Sequence, residues 1–144
     1  MLEIVVALAM AAVLVAYAVP SYFAYAARGH RIDAVIALHR AAQYAAANVA
    51  ARHSAVGPAL DLPPGLKRVP EHGRIVYRLE LSPGGDGDNT GGYELRAIPD
   101  GAGPMRDDAC GTFALDGLGA RRNIGPAGDR DGAGIERCWS GRSV

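Results

Sequence analysis

The first third of the chain is almost continuously apolar, whereas the rest alternates between short apolar runs and turns rich in glycine and proline. Residues 4–27 contain no charged side chain. A helix of this length reaches about 36 Å, and the hydrocarbon core of a bilayer is roughly 30 Å thick. The pattern therefore predicts that residues 1–27 form a helix that spans a membrane or packs in a protein bundle.

The helical pattern continues beyond the apolar run, but its side chains then separate into two faces. Apolar residues recur at helical spacing and charged residues fill other positions up to about residue 55. The apolar positions are Ile32, Val35, Ile36, Leu38, Ala42 and Val49, and the charged ones are Arg28, Arg31, Asp33, Arg40 and Arg52. We predict one helix of about fifty residues, far longer than a usual globular helix. Its second half belongs to a globular domain, residues 28–144.

Two residues stand out in the apolar segment. Pro20 has no amide hydrogen, so we expect a helix break there, either as a kink or as a loosened turn. Glu3 opens the apolar run, although an unpaired carboxylate in lipid costs a few kcal/mol. Two interpretations of Glu3 stay open. It lies at the water-exposed membrane edge, where it suits the helix dipole, or it pairs with a cation of a neighbouring subunit.

The second part of the chain has the pattern of a small β domain. Alternating or β-branched stretches predict strands at residues 74–81, 92–98, 112–116 and 120–124. Polar, glycine-containing connections predict that they pair as two hairpins. Because an isolated hairpin is not stable, we expect an antiparallel sheet of about four strands packed on the amphipathic half of the helix. The fold class is therefore α+β, in one domain.

Cys110 and Cys138 are the two cysteines of the chain, 28 positions apart. Neither belongs to a Cys-x-x-Cys pair, so a zinc or redox site is disfavoured. An even number of cysteines in an exported domain favours a disulfide, and two separate reduced thiols are the alternative.

Composition adds few functional constraints. The chain has 15 basic and 15 acidic side chains, so its net charge favours no class of partner. The histidines lack metal-ligand spacing, and no serine has the context of a nucleophile; we predict no enzyme, no cofactor and no metal site. Asp86-Gly87-Asp88-Asn89-Thr90-Gly91 begins like a calcium loop but lacks its distal acid. We interpret it as a solvated turn and keep calcium binding as the alternative.

Two stretches match motifs of a known family. Glu3, the apolar run and Pro20-Ser21-Tyr22 occur together in the register of an N-terminal signature, and this stretch resembles type IV pilins and the related pseudopilins. Cys110-Gly111-Thr112, Gly119-Ala120 and Cys138-Trp139 are similar to the C-terminal part of minor pilins of the PilE type. The resemblance implies the type IV pilin fold: a long N-terminal helix on a small antiparallel sheet, with a disulfide-closed C-terminal region.

The resemblance also implies a role for Glu3 and a set of partners. In the family this acid neutralises the N-terminal ammonium of an adjacent subunit during assembly. The partners would be other pilin subunits, bound through the N-terminal helix bundle, the inner-membrane assembly machinery, and a prepilin peptidase. The peptidase requires a leader upstream of Met1 that ends in glycine, and the register leads us to expect an upstream start.

The family's topology implies a single-pass inner-membrane protein that later joins an extracellular pilus, with the globular domain outside. Arg28 and Arg31 follow the apolar segment and by themselves favour the opposite orientation; we adopt the family's. Motility, adhesion and DNA uptake stay open as phenotypes, as does nucleic-acid binding. Two alternatives remain: a type II secretion pseudopilin, which generally lacks the disulfide, and a membrane-tethered ligand-binding domain.

Overall fold

One long helix, α1, extends from Leu2 to Arg52 and carries the rest of the molecule on its second half. The computed structural model describes residues 2–52, 61–83, 92–125, 128–129 and 132–142. The single helix predicted from the apolar and amphipathic patterns is therefore present. Its predicted end, near residue 55, lies outside the described residues.

The first half of α1 stands apart from the globular domain. All side chains described from Leu2 to Tyr25 are exposed, although most of them are apolar. By length and composition this helix is able to cross a membrane, and its most apolar stretch is not buried within the chain. Since a soluble monomer rarely exposes such a large apolar surface, this half requires lipid or protein around it.

The sheet has six antiparallel strands in sequence order. They are β1 (Arg68–Val69), β2 (Tyr77–Pro83), β3 (Tyr93–Pro99), β4 (Thr112–Asp116), β5 (Arg121–Gly125) and β6 (Gly128–Asp129). The two predicted hairpins are β2–β3 and β4–β5. The expected number of about four strands was too low, because β1 and β6 have two residues each and are too short to leave an alternating pattern.

A second helix, α2 (Gly132–Trp139), was not predicted from the sequence. Glycine disfavours helices by about 1 kcal/mol relative to alanine, so the local sequence argues against α2. Tertiary contacts override this preference. Cys138 and Trp139 are buried in the core, and Gly141 adopts φ +74° just beyond the helix, the conformation of a glycine C-cap.

The core lies between one face of the sheet and the second half of α1. The sheet contributes alternate residues of its central strands, and α1 contributes Ala34, Leu38, Ala41 and Ala45. The predicted apolar face of α1 was partly wrong, because Ile32 and Ile36 are 37% and 45% exposed. The helix contacts the sheet through alanines, whose small side chains permit close approach, and the larger isoleucines lie to one side.

An aromatic cluster fills the end of the core nearest α2. The rings of Tyr77 and Trp139 each pack edge-on against Phe113, with centroid distances of 6.1 and 5.7 Å. The Tyr77 hydroxyl has no hydrogen-bond partner among the described residues. Burial raises the pKa of Tyr77 far above its usual value, and the negative charge of Asp108 raises it further. Tyr77 is therefore a neutral core residue at physiological pH.

The disulfide between Cys110 and Cys138 is formed, as predicted, and both residues are completely buried. It joins the segment before β4 to α2. The neighbouring Gly111 is required by space: a Cβ there would lie 2.2 Å from the carbonyl oxygen of Ile124, and φ is +58°. The side chain of Asn123 donates a hydrogen bond of 3.0 Å to the carbonyl of Cys110, which fixes β5 beside the disulfide.

A buried ion pair connects α1 to the same region. The Arg31 guanidinium binds both carboxylate oxygens of Asp108, and both side chains are more than nine-tenths buried. Arg31 also donates a 2.8 Å hydrogen bond to the carbonyl of Arg142, beyond α2. Asp108 in turn accepts a hydrogen bond of 3.3 Å from the amide of Cys110. One guanidinium thus joins three parts of the chain: α1, the segment with Asp108 and Cys110 (the disulfide segment), and the segment that follows α2 and includes Arg142 (the C-terminal segment).

We predict that Arg31→Met destabilises the globular domain by about 3–5 kcal/mol, because Asp108 would remain buried without its cation. The free energy of unfolding is measured on the full chain in detergent micelles by the fluorescence of Trp139, the one tryptophan of the chain. Arg28→Met is the matched control, since Arg28 is exposed less than one turn away; its effect should stay within about 0.5 kcal/mol. Equal losses in both variants would contradict the prediction.

We predict that replacing both cysteines, Cys110→Ala with Cys138→Ala, lowers the free energy of unfolding by roughly 3–4 kcal/mol, the chain-entropy value for a loop of this size. The same fluorescence titration measures it. Unfolding midpoints that coincide with those of the oxidised wild type would show that the bridge contributes no stability.

Candidate functional site

The N-terminal residues singled out by the sequence lie far from the globular domain. Glu3 is in the first turn of α1 and is exposed, so in the single chain its carboxylate is free to contact another subunit. Pro20 is also exposed and lies inside α1, which is helical on both sides of it. The kink at Pro20 and the assembly role of Glu3 stay predictions. Cys110 and Cys138 are structural, as described above.

The outer face of the sheet carries a group of arginines that the sequence did not single out. Alternation along the strands directs Tyr77, Leu95 and Phe113 towards α1, and directs their neighbours away from it. Three arginines, one from each of β2, β3 and β5, are on this outer face. We call Arg78, Arg96 and Arg122 the sheet arginines.

Two largely covered carboxylates, Glu94 and Asp100, hold the sheet arginines in place. Glu94 binds Arg96 through one carboxylate oxygen and Arg122 through the other, and Asp100 binds Arg78 at 2.8 Å. The carboxylate side chains are only 10% and 15% exposed, whereas those of the sheet arginines are 45–59% exposed. The negative charges are therefore covered and the positive ones face solvent.

The register explains why Arg96 and Arg122 can share one acid. Arg96 on β3 and Arg122 on β5 are both paired with Ala114 on the intervening strand β4. Ala114 is buried despite facing outwards, since its small side chain leaves room for the arginines on either side. The backbones of Arg96 and Arg122 are therefore about 10 Å apart, two strand spacings, and their guanidinium groups converge on the carboxylate of Glu94 between them.

The face is not uniformly basic. Glu80 lies directly across from Arg96 in the β2–β3 pair and is exposed. The cluster therefore has three positive charges, on the sheet arginines, and three negative ones, on Glu94, Asp100 and Glu80. The cluster can bind an anion because the N–H donors of the sheet arginines face solvent, while the carboxylates of Glu94 and Asp100 lie beneath them.

The described part of the chain contains no candidate metal centre. No group of three or more histidine, cysteine, aspartate or glutamate side chains there is placed to hold a metal ion. The calcium-like sequence at residues 86–91 lies outside the described residues, so its two interpretations remain as they were.

Sequence reasoning had treated Arg31 as a solvent-facing charge, and the structure corrects this. Arg31 lies on the same side of α1 as Ala34, Leu38, Ala41 and Ala45, at alternating steps of three and four residues. That spacing could have identified Arg31 as a core-facing position. The sequence contained no comparable signal for the sheet arginines, since alternating charged residues in a strand indicate only that one face of the strand is exposed.

Comparison with known protein families gives one match. The model of a family described as the type IV minor pilin ComP, DNA uptake sequence receptor, matches residues 20–114, well over half of the chain. Searches of curated proteins and of solved structures returned no significant match. The match begins at Pro20 and includes the amphipathic half of α1, strands β1 to β3 and most of β4. The long helix, antiparallel sheet and disulfide are those of a type IV pilin, and the chain belongs to the type IV minor pilin family.

Proposed function

We propose that this minor pilin enters a type IV pilus through the first half of α1 and presents its sheet arginines to DNA during uptake. The observation that carries the proposal is the family match over residues 20–114, from the middle of α1 into β4, together with an apolar half-helix that the chain itself leaves uncovered. A structural, non-enzymatic role fits the family. The match to pilus minor pilins favours this function over that of a secretion pseudopilin.

The family and the apolar half-helix fit a membrane-anchored subunit that later becomes part of the extracellular pilus. In our proposal residues 1–27 are the membrane-spanning and filament-core segment, and residues 28–144 form the periplasmic and then extracellular domain. Before assembly the chain is a single-pass inner-membrane protein. Assembly replaces lipid by neighbouring helices around the exposed apolar side chains, with the inner-membrane machinery as partner.

Glu3 is proposed to set the register in which the helices of neighbouring subunits pack during assembly. A carboxylate moved into an apolar bundle is costly unless a cation compensates it. The N-terminal ammonium of an adjacent subunit would supply the cation, if a prepilin peptidase exposes it. Because either charge alone would be unfavourable, the pair disfavours subunits placed one turn out of register.

We predict that Glu3→Ala abolishes incorporation into pili and leaves the globular domain folded. Incorporation is measured as the amount of the subunit in sheared pili relative to the membrane pool, and folding by Trp139 fluorescence of the full chain. Glu3→Asp, which keeps the charge, is the matched control and should retain part of the incorporation. Wild-type amounts of the Ala variant in sheared pili would refute the role of Glu3.

The geometry of the sheet suits contact with DNA phosphates. Since the inner face packs on α1, and α1 would enter the filament core, the outer face with the sheet arginines would point away from the filament axis. Arginine binds phosphate through a planar pair of N–H donors, and a guanidinium that uses one edge for Glu94 keeps further donors for a second anion. The family's description as a DNA uptake sequence receptor supports DNA as that anion.

We predict that Arg96→Gln and Arg122→Gln, made singly, each lower the affinity for duplex DNA by roughly 3- to 10-fold, about 1 kcal/mol for one lost contact. Each variant leaves Glu94 one cation, so the fold should persist. Fluorescence anisotropy of labelled duplex with the full chain in uncharged detergent measures the affinity. The slope of log affinity against log salt should decrease in magnitude by about 1.

Two further variants separate charge from position. Arg122→Lys should keep the salt slope while weakening binding, because the charge remains but the planar donor pair is lost. Arg40→Gln, on α1 behind the sheet, should leave DNA affinity unchanged. Unchanged affinity in both glutamine variants of the sheet arginines would place the DNA elsewhere and refute this part of the proposal.

A further inference from the structure

A cleft lies at the base of the globular domain, between α1 and the segment that follows α2. It has a volume of about 510 Å³, and its lining includes Ser21, Tyr25, Arg28, Arg31, Arg137 and Arg142. We call it the basal cleft. It is on the side of the domain next to the apolar half of α1, and neither the assembly role of Glu3 nor the sheet arginines involve it.

The basal cleft carries an uncompensated positive charge. Arg31 is neutralised by Asp108, but Arg28, Arg137 and Arg142 are exposed, and no acidic side chain is among the described residues that line the cleft. Glu136 precedes Arg137 in α2 and does not line it. Three guanidinium groups around one concave surface form a site for an anion rich in oxygen atoms.

The C-terminal segment is held firmly at this position. The carbonyl of Arg142 accepts a hydrogen bond from buried Arg31, and Arg142 Nε donates to Ser140 Oγ at 2.9 Å. Gly141 packs so closely on α1 that an added Cβ would lie 2.9 Å from the side chain of Ile32. The arginines of the C-terminal segment are thus fixed beside α1 by the fold.

The position along α1 identifies the source of the anion. Ala27 ends the uncharged run and Arg28 begins the charged half. Tyr22, Phe23 and Tyr25 are exposed in the preceding turns, and aromatic residues are enriched at membrane–water interfaces. The distance from Ser21 to Ala27 along the helix is about 9 Å, close to the depth of about 5–8 Å of one headgroup layer. The basal cleft therefore faces that layer if residues 1–27 span the bilayer.

We propose that the basal cleft binds the phosphate headgroup of an anionic phospholipid while the subunit resides in the membrane. The inference rests on the membrane-spanning part of the proposed function and adds a lipid ligand to it. It also accounts for basic residues on the side of the membrane where the positive-inside tendency disfavours them. Arg31 is neutralised internally, and the lipid phosphate supplies a negative charge that Arg28, Arg137 and Arg142 share.

The test is native mass spectrometry of the full chain in uncharged detergent, titrated with phosphatidylglycerol or phosphatidylcholine. We expect the wild type to retain phosphatidylglycerol in preference to phosphatidylcholine. The triple variant Arg28→Gln, Arg137→Gln, Arg142→Gln should lose this preference, with about a fivefold lower affinity for each arginine removed. Trp139 fluorescence verifies folding, and Arg137→Gln alone, at an exposed site on α2, provides a second variant if the triple one unfolds.

A second triple variant controls for total charge. Arg40, Arg74 and Arg106 are exposed and lie outside the basal cleft. Arg40 is twelve residues beyond Arg28, about 18 Å along the helix, and charges are largely screened beyond about 10 Å at 0.1 M salt. Replacing these three by glutamine should leave the preference for phosphatidylglycerol intact. Equal losses in both triple variants would overturn the proposal.

Other outcomes distinguish the inference from the proposed function. If the wild type inserts into liposomes, with residues 1–27 protected from protease, and shows no preference for phosphatidylglycerol, the lipid site is refuted and the pilus function stands. If residues 1–27 are not protected, the membrane-spanning proposal fails first. Two more results would overturn the lipid assignment. One is that soluble glycerol phosphate binds as tightly as the lipid. The other is that the triple variant of the basal cleft loses duplex DNA binding but keeps the preference for phosphatidylglycerol.

Discussion

The guanidinium of Arg31 is the point at which α1, the disulfide segment and the C-terminal segment meet. It is buried with Asp108, which also accepts a hydrogen bond from the amide of Cys110. A buried ion pair contributes little net stability, but removal of one of its two partners leaves the other charge buried and uncompensated. Its contribution is therefore geometric: it fixes where the domain lies along α1, and hence how far the apolar half projects from the domain.

That position has consequences for both ends of the subunit. An apolar half-helix is unstable in water unless lipid or other helices surround it, so the domain must begin where the apolar run ends. Burial starts only at residues 26 and 27, and Arg31 is the first fully core-facing position. The same contact brings the segment after α2 beside α1, which creates the basal cleft at this boundary.

The sequence predicted the features that depend on long patterns. The continuity of α1 from its apolar into its amphipathic half, the β2–β3 and β4–β5 hairpins and the disulfide followed from the apolar run, from alternation and from two cysteines. It did not predict α2, because glycines at positions 132 and 134 oppose a helix that the disulfide and Trp139 hold in place. It assigned Arg31 to solvent because residue type was given more weight than its three-and-four spacing with the buried alanines. The grouping of Arg96 and Arg122 around Glu94 depends on the register from β3 to β5, which one strand's pattern does not contain.

The arginines of this chain follow one physical rule in three environments. In the core, Arg31 has a full carboxylate partner, because an unpaired charge there is too costly. On the outer sheet face, carboxylates lie beneath the arginines and orient them, so that their remaining donors face solvent. At the basal cleft no acidic side chain lies among the described lining residues, so the exposed arginines there are available to an anion from outside the chain. The partner of each arginine, rather than the net charge of zero, therefore indicates which surfaces are built to meet an anion.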